Sequence, residues 1–333
     1  MSDILEPVPP VVSTEPPPPE KKPRRWGRYI LYVLATLGVL AIVLVGAAFY
    51  KANQGPVLVK IDEAASIDES MTRNYGKYSA ERKGWMYVDQ NNQPFLVRVV
   101  QQARIEAVGA SDELYFVTSG IPLSGEATGF YGVFQIRSDG KGGDGLVEIS
   151  DPVRELYEVP LKPENVHFEA LSETLWGWVI KVQSGLEPKH DRVTVSNVVL
   201  APHGESIAEL AKFRAAADAD PGKDCAQANA EYAEWEKLVE RYTKRSPDAT
   251  DEEVAAGAEA VQHQPVRCEH ARWTYATAPV NGPFPGPLTV TAKGSQYGAP
   301  MEPKRWKLMF DNKAFVYNVP EELMYEDQYG EEE

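Results

Sequence analysis

An uncharged stretch of 22 residues, Tyr29–Tyr50, is the feature that most constrains the fold of this 333-residue chain. As an α-helix it would be about 33 Å long, because each residue adds 1.5 Å, and the hydrocarbon core of a bilayer is about 30 Å thick. The chain contains no second stretch of this kind. The sequence therefore predicts a single-pass membrane protein with one N-terminal transmembrane helix.

The charges that flank this stretch predict its orientation. Five basic residues precede it: Lys21, Lys22, Arg24, Arg25 and Arg28. After it, only Lys51 occurs before Lys60. Because basic residues stay on the cytoplasmic side of a first span, residues 1–28 are predicted to be cytoplasmic and residues 51–333 to be exported. A cleaved signal peptide is the alternative, but the apolar stretch is longer than the usual h-region of about 7–15 residues.

The balance of charge narrows the set of partners. The chain has a formal net charge of −15, with 34 Lys and Arg against 49 Asp and Glu. Nucleic acid is therefore not expected as a partner, since phosphate binding needs a basic surface.

No asparagine lies in an N-x-S/T motif, which favours a bacterial envelope over a eukaryotic lumen. The predicted location is the inner membrane, with the exported part in the periplasm. The expected partners are the membrane, through Tyr29–Tyr50, and proteins of the envelope.

Most of the exported part has the pattern of a β protein. Between residues 85 and 200, short apolar stretches, several of them alternating with polar residues, are separated by Gly, Pro, Asn and Asp clusters. Short strands at this spacing predict an antiparallel sandwich or barrel. Helical patterns follow and strand patterns then resume. The predicted fold is a mainly-β domain with a helical hairpin inserted before the last strands, α+β overall. The last strands either complete the first sheet or form a second small domain.

The sequence thus divides into seven predicted segments. They are a disordered proline-rich basic tail (1–28), a transmembrane helix (29–50), a stem (51–84), a β-rich exported domain (85–203), a helical segment with an αα-hairpin (204–264), C-terminal strands (265–320) and an acidic disordered tail (321–333). The first segment holds eight of the 26 prolines, so it is not expected to bury a core.

Capping boxes and amphipathic patterns predict three helices in the helical segment. They are Ile207–Ala217 after the capping box Ser206/Glu209, the amphipathic stretch Cys225–Lys244, and a helix from the capping box Thr250/Glu253 to about His263. The last two are expected to form an antiparallel αα-hairpin, because a short connection containing a proline joins them.

The two cysteines of the chain, Cys225 and Cys268, are predicted to form a disulfide. Cys225 begins the outward helix of the hairpin and Cys268 follows the return helix, so both lie at the same end. The outward helix of about 20 residues spans about 30 Å, and the return helix plus extended chain covers a similar distance. An oxidising compartment favours the bridge. A metal site with His263 and His270 is the alternative, but the spacing fits no zinc module, and no metal is predicted.

No catalytic or cofactor motif occurs in a context that supports it. Gly140–Gly145 matches G-x-G-x-x-G, yet a strand rather than a helix follows it, so neither a dinucleotide site nor any other cofactor is predicted. Carboxylate pairs are too frequent in so acidic a chain to identify catalytic residues. Whether the chain is an enzyme stays open, and a non-enzymatic role is favoured.

Trp176 and Trp178 are the candidate ligand-binding residues. In a strand both side chains point to one face, and Gly177 leaves the opposite face bare. If exposed, the pair would stack against a sugar ring or an aromatic side chain of a partner. If buried, the pair would belong to the core, which is the more frequent place for large aromatic residues.

These patterns favour a membrane-anchored interaction or scaffold protein of the cell envelope, an accessory subunit of an inner-membrane assembly. The anchor, the proline-rich tail, the acidic exported part and the lack of catalytic motifs support this expectation. A sensor domain that binds a small ligand or a glycan through Trp176 and Trp178 is the first alternative. A carboxylate-based envelope hydrolase is the second.

Overall fold

The computed structural model describes residue 34 and residues 37–46, 58–106, 110–123, 128–141, 145–156, 160–184, 192–244, 258, 261–262, 264–296 and 298–325. The chain divides into two units, Met1–Pro56 and Val57–Glu333. In the first unit the described residues are helical, and their side chains are exposed. The rest of the predicted span Tyr29–Tyr50 and the tail 1–28 lie outside the described residues. Within the part of the chain that is described, none of the helices has both the length and the apolar character needed to cross a membrane.

The second unit consists mainly of antiparallel strands. Its described residues form a first sheet of sequential order with β1 (Tyr78–Ser79), β2 (Gly84–Val88), β3 (Pro94–Ile105), β4 (Glu113–Pro122), β5 (Gly129–Ser138) and β6 (Leu146–Leu156). The second sheet contains β7 (Val166–Ala170), β8 (Trp176–Ser184), β9 (Arg192–His203), β10 (Ser206–Ala219), β11 (Glu269–Thr277), β12 (Leu288–Gln296), β13 (Ala299–Pro300) and β14 (Lys304–Leu308). The other elements are helix α1 (Glu63–Tyr75), helix α2 (Cys225–Thr243), the ribbon of β15 (Phe310–Asp311) and β16 (Val316–Tyr317), and 3-10 turns at Pro163–Asn165 and Glu321–Leu323.

The prediction of a mainly-β body built from antiparallel sheets is confirmed. The second sheet has the order β13-β12-β11-β10-β9-β8-β7, and β14 also pairs with β12. Since β11 pairs with β10, the strands after the helical segment continue a sheet that begins before it. Helix α2 coincides with the predicted helix Cys225–Lys244 and is an insertion between these two strands. Of the predicted return helix from Thr250, only 258 and 261–262 are described, and these are helical.

Three apolar cores separate four layers of the second unit. The first core lies between α1 and the first sheet, where Tyr75 and Phe116 belong to one cluster. The second core joins the two sheets and contains Val117 from the first and Trp178 from the second. The third lies between the second sheet and the C-terminal segment that includes Leu323. Neighbouring residues of one strand, such as Phe116 and Val117, therefore enter different cores, and both faces of the central strands are buried.

Two segments that the sequence places outside the packed body contribute to it. The predicted stem, residues 51–84, contains α1, whose Tyr75 is buried. The predicted acidic tail, residues 321–333, begins with the turn Glu321–Leu323, and both Leu323 and the following Tyr325 are buried. Residues 326–333 lie outside the described residues. A few apolar side chains suffice for this packing, because each packs on an apolar sheet face that would otherwise be exposed to water.

The prediction of a helix at Ile207–Ala217 is wrong, because these residues form most of strand β10. Pairing with β9 on one side and β11 on the other outweighs the helix propensity of its alanines. The two residues of the predicted capping box make other hydrogen bonds instead of capping a helix. The hydroxyl of Ser206 donates to the carbonyl of His203 in the β9–β10 turn, and Glu209 accepts a hydrogen bond from Arg154 of β6.

Tyr75, the last residue of α1, fixes that helix on the first sheet. The pairing of β5 with β6 is interrupted by a β-bulge next to Gly132. The hydroxyl of Tyr75 donates to the carbonyl of Pro152 at this bulge, at 2.6 Å, and lies 2.9 Å from the hydroxyl of Thr118. Burial raises the pKa of Tyr75, so its hydroxyl remains a neutral donor. A Cβ at Gly132 would overlap this hydroxyl, so a glycine there leaves the room that the tyrosine needs.

Replacing Tyr75 with phenylalanine is expected to lower the free energy of unfolding by about 1–3 kcal/mol, because the buried carbonyl of Pro152 loses its donor. Urea denaturation followed by tryptophan fluorescence measures this change. The matched control is Tyr78→Phe. Tyr78 is 49% exposed, so this substitution should change stability by less than about 0.5 kcal/mol. Equal effects of the two substitutions would contradict the role assigned to the Tyr75 hydroxyl.

Candidate functional site

Helix α2 is fixed to the β body by its first turn. The disulfide predicted between Cys225 and Cys268 is confirmed, with 5.4 Å between the two Cα atoms. It joins the start of α2 to the residue before β11. The amide of Asn229 also donates to the carbonyl of Gly298, at 3.1 Å. Ala228, in the same turn, is the one buried residue of α2, all of whose residues are described. We call α2 with the described residues of its return chain, 258–268, the arm.

Polar and aromatic contacts hold the return chain against α2. The guanidinium of Arg267 lies 3.5 Å from the ring centroid of Tyr232 and pairs with Glu236 at 2.7 Å. The indole of Trp235 donates to the carbonyl of Val261 at 3.2 Å. These contacts use aromatic side chains of the helix that the sequence predicts as the amphipathic stretch Cys225–Lys244. The opposite face and the far end of α2 are left in solvent, including Lys237, Arg241 and the 38% exposed Leu238.

A second candidate site lies on the second sheet, where one cross-strand row connects four strands. Gln183 of β8 pairs with Val195 of β9, Val195 with Ala216 of β10, and Ala216 with Arg272 of β11. The row therefore has long polar side chains at both ends and small or apolar side chains in the middle. Such a row forms a trough, because the middle residues do not fill the space that the end residues enclose.

The trough has a volume of about 210 Å³. Its lining consists of Leu156, Pro160, Leu161, Asn165, Lys181, Gln183, Val195, Ala215, Ala216 and Arg272. The apolar members come from the end of β6, the following segment and the middle of the row. Two cations, Lys181 and Arg272, belong to the lining, and among the described residues no carboxylate does. In a chain with more acidic than basic residues, this is a local reversal of charge.

A β-bulge in β10 makes the floor of the trough. The pairing of β10 with β9 shifts between Arg214 and Ala216, so Ala215 is the extra residue. Bulges of this kind interrupt the backbone ladder and are frequent next to functional sites. Here the hydroxyl of Tyr325 lies 2.5 Å from the carbonyl of Ala216 and 3.3 Å from that of Val195. Tyr325 is buried, and burial raises the pKa of its hydroxyl, which therefore stays protonated and can donate.

The two cations of the trough differ in their partners. Lys181 is half-buried and has no ion pair among the described residues. Arg272 uses one nitrogen, Nη1, which lies 2.8 Å from the carboxylate of Asp218 and 2.9 Å from the carbonyl of Ala271. Asp218 also accepts from the exposed ring of His270. The Nη2 and Nε atoms of Arg272 have no partner in the described part of the chain, so the guanidinium can still bind an anion.

The two sequence-predicted ligand residues lie away from both sites. Trp178 is 1% exposed in the core between the sheets, and Trp176 is half-buried against the same core. Phe168 stacks on Trp176, with 5.3 Å between the ring centroids, and also contacts Trp178 at 4.7 Å. The pair therefore contributes to packing, and Trp178 offers no exposed ring for stacking. Ligand binding by the pair stays a prediction.

Sequence reasoning missed the trough because it depends on strand register. Lys181 and Arg272 lie in segments correctly predicted as strands, but 91 positions apart. Strands β9 and β10 bring their strands into one sheet, and the sequence predicts a helix in place of β10. The run of alanines at 215–217 was the available indication, since small residues in a paired strand leave space beside it.

Reduction of the disulfide is expected to release the arm from the β body. The bridge closes a sequence separation of 43 residues, worth about 4 kcal/mol in the chain-entropy model. Trypsin should therefore cut at Lys237 and Arg241 faster in reduced than in oxidised protein. A Cys225→Ser/Cys268→Ser variant is the control, since it should be cut fast with or without reductant. Equal cleavage of oxidised and reduced wild-type protein would show that the bridge does not hold the arm.

Comparison with known proteins does not assign the chain to a family. No protein-family model matches its sequence, and neither a curated protein nor a solved structure shows a significant similarity to it. Its function is therefore inferred from the geometry of the arm and the trough.

Proposed function

We propose that this chain is a membrane-anchored interaction protein of the cell envelope, an accessory subunit of an inner-membrane assembly that binds a partner protein through the arm. One observation carries the proposal. Helix α2 has 19 residues, about 28 Å, and is bonded covalently to the β body at its first turn, yet it buries only Ala228. A helix held rigidly at one end, with most of its surface in solvent, is suited to contact another chain.

The chemistry of the arm supports a protein partner. Its solvent face carries charges of both signs, among them Glu234, Lys237 and Arg241, next to the exposed Leu238. Mixed charge around an apolar centre is the composition of protein interfaces, in which a desolvated centre is surrounded by a polar rim. Because the disulfide holds the first turn of α2 rigidly, the arm loses less conformational entropy on binding.

The anchor in this proposal is the uncharged stretch Tyr29–Tyr50, with residues 1–28 in the cytoplasm and the β body outside. The support comes from the sequence alone, from the length of the stretch and from the basic residues that precede it. This arrangement would place the arm in an oxidising compartment, where the disulfide persists.

A pull-down of the full-length tagged protein from its native membrane in mild detergent is expected to yield one or more partner chains at stoichiometric ratio. The variant Lys237→Glu/Arg241→Glu should lose them, because it reverses two charges on the exposed face of the arm. The matched control Arg305→Glu/Lys307→Glu makes the same charge change on exposed positions of β14 and should keep them.

Two results would contradict the role of the arm. One is a solitary protein in the wild-type pull-down, which would remove the interaction role altogether. The other is equal retention of partners by both charge-reversal variants, which would move the interface away from α2. Circular dichroism of each variant confirms that the β body is folded before the comparison is made.

The proposed membrane topology gives an independent prediction. A fusion of alkaline phosphatase to the C-terminus is expected to be active, because this reporter folds only outside the cytoplasm and the charge asymmetry places residues 51–333 there. The control reverses the asymmetry by replacing the five basic residues before the stretch with glutamine. Its phosphatase activity should fall. An inactive wild-type fusion present at normal amounts would rule out the proposed orientation.

A further inference from the structure

We propose that the trough on the second sheet is a binding site for a short dicarboxylate with an apolar spacer. The proposal concerns a surface that the interaction role does not use. It rests on three properties of the lining residues: their charge, their arrangement along the row, and the volume that they enclose.

The charge of the lining requires an anion. Lys181 and Arg272 are its charged members, and no described carboxylate lies among them. A charge at the edge of an apolar cavity interacts more strongly with an opposite charge than it would in bulk water, because the local dielectric constant is lower. Asp218 offsets part of the charge of Arg272, but Nη2 and Nε of the guanidinium have no described partner. Together these atoms form the fork that binds a carboxylate through two hydrogen bonds.

The arrangement of the lining requires negative charge at both ends of the ligand. Gln183 and Arg272 are separated by three strand spacings, about 14 Å between Cα atoms, and Lys181 lies two residues from Gln183 on the same strand. The two cations therefore extend into the trough from opposite ends. A ligand with one carboxylate would leave one cation without a partner. A dicarboxylate pairs with both.

The floor and the volume define the rest of the ligand. Between the cations lie Val195, Ala215 and Ala216, which offer no hydrogen-bonding side chain and suit a hydrocarbon spacer. The volume of about 210 Å³ is below the range of about 300–1,000 Å³ typical of sites for drug-sized ligands, so a nucleotide would not fit. Inorganic phosphate would leave the apolar floor uncovered. The amide side chains of Gln183 and Asn165 can donate to the carboxylates.

Isothermal titration of the full-length protein in detergent with glutarate tests the proposal. Glutarate is expected to bind, and Lys181→Met and Arg272→Met should each weaken it by about tenfold or more, as expected for loss of a charge-assisted contact. The matched controls Lys307→Met and Arg305→Met remove the same charges from exposed positions of β14 and should leave affinity unchanged. Butyrate, with one carboxylate, should bind at least about tenfold more weakly than glutarate.

A steric variant keeps the test independent of charge. Ala216→Leu is expected to fill the floor of the trough and abolish glutarate binding while both cations remain. Thermal unfolding verifies that each variant is folded. If Ala216→Leu does not fold, Lys181→Met alone is enough to test the proposal. Three outcomes would overturn the proposal: no glutarate binding by the wild-type protein, full binding by folded Lys181→Met, or equal affinity for butyrate and glutarate.

Discussion

Burial of both faces of two antiparallel sheets is the constraint on which the rest of this structure depends. Antiparallel sheets usually leave one face in water, but here Phe116 and Val117, adjacent on β4, enter different cores. Two sheets packed together protect only their inner faces. Each outer face therefore needs a cover, and the chain supplies one from each end of the body: α1 on the first sheet and the C-terminal segment on the second.

Both covers are positioned by a tyrosine at a β-bulge. Tyr75 ends α1 and donates to the carbonyl of Pro152, whereas Tyr325 in the C-terminal segment lies against the carbonyl of Ala216. A bulge leaves backbone carbonyls without their ladder partners, and a buried carbonyl without a donor costs about 1–3 kcal/mol. Apolar packing alone would allow a cover to slide along its sheet. The hydroxyl groups oppose such sliding, since each makes its hydrogen bond only where the cover lies beside these carbonyls.

The sequence was informative where the pattern was local and misleading where pairing decided the structure. The amphipathic period of α2, the strands before residue 200 and the bridge between Cys225 and Cys268 follow from local spacing and from the count of cysteines. Strand β10 could not be predicted in this way. Its alanines have high helix propensity, Ser206 and Glu209 imitate a capping box, and the bulge at Ala215 interrupts the period of two. The trough could not be predicted either, because it exists only once β10 joins β9 to β11.

The arm and the trough are built on the same pair of strands. Ala216 pairs with Arg272 at the trough, and three residues further Ala219 pairs with Glu269, next to the bridged Cys268. Glu269 is buried and pairs with Arg192 at 2.8 Å, which holds this end of β11 against β9. A change in the β10–β11 register would therefore displace Arg272 together with Cys268, the residue that attaches the arm. Substitutions of side chains that leave this register intact, such as those at Lys181 for the trough and at Lys237 for the arm, separate the two sites.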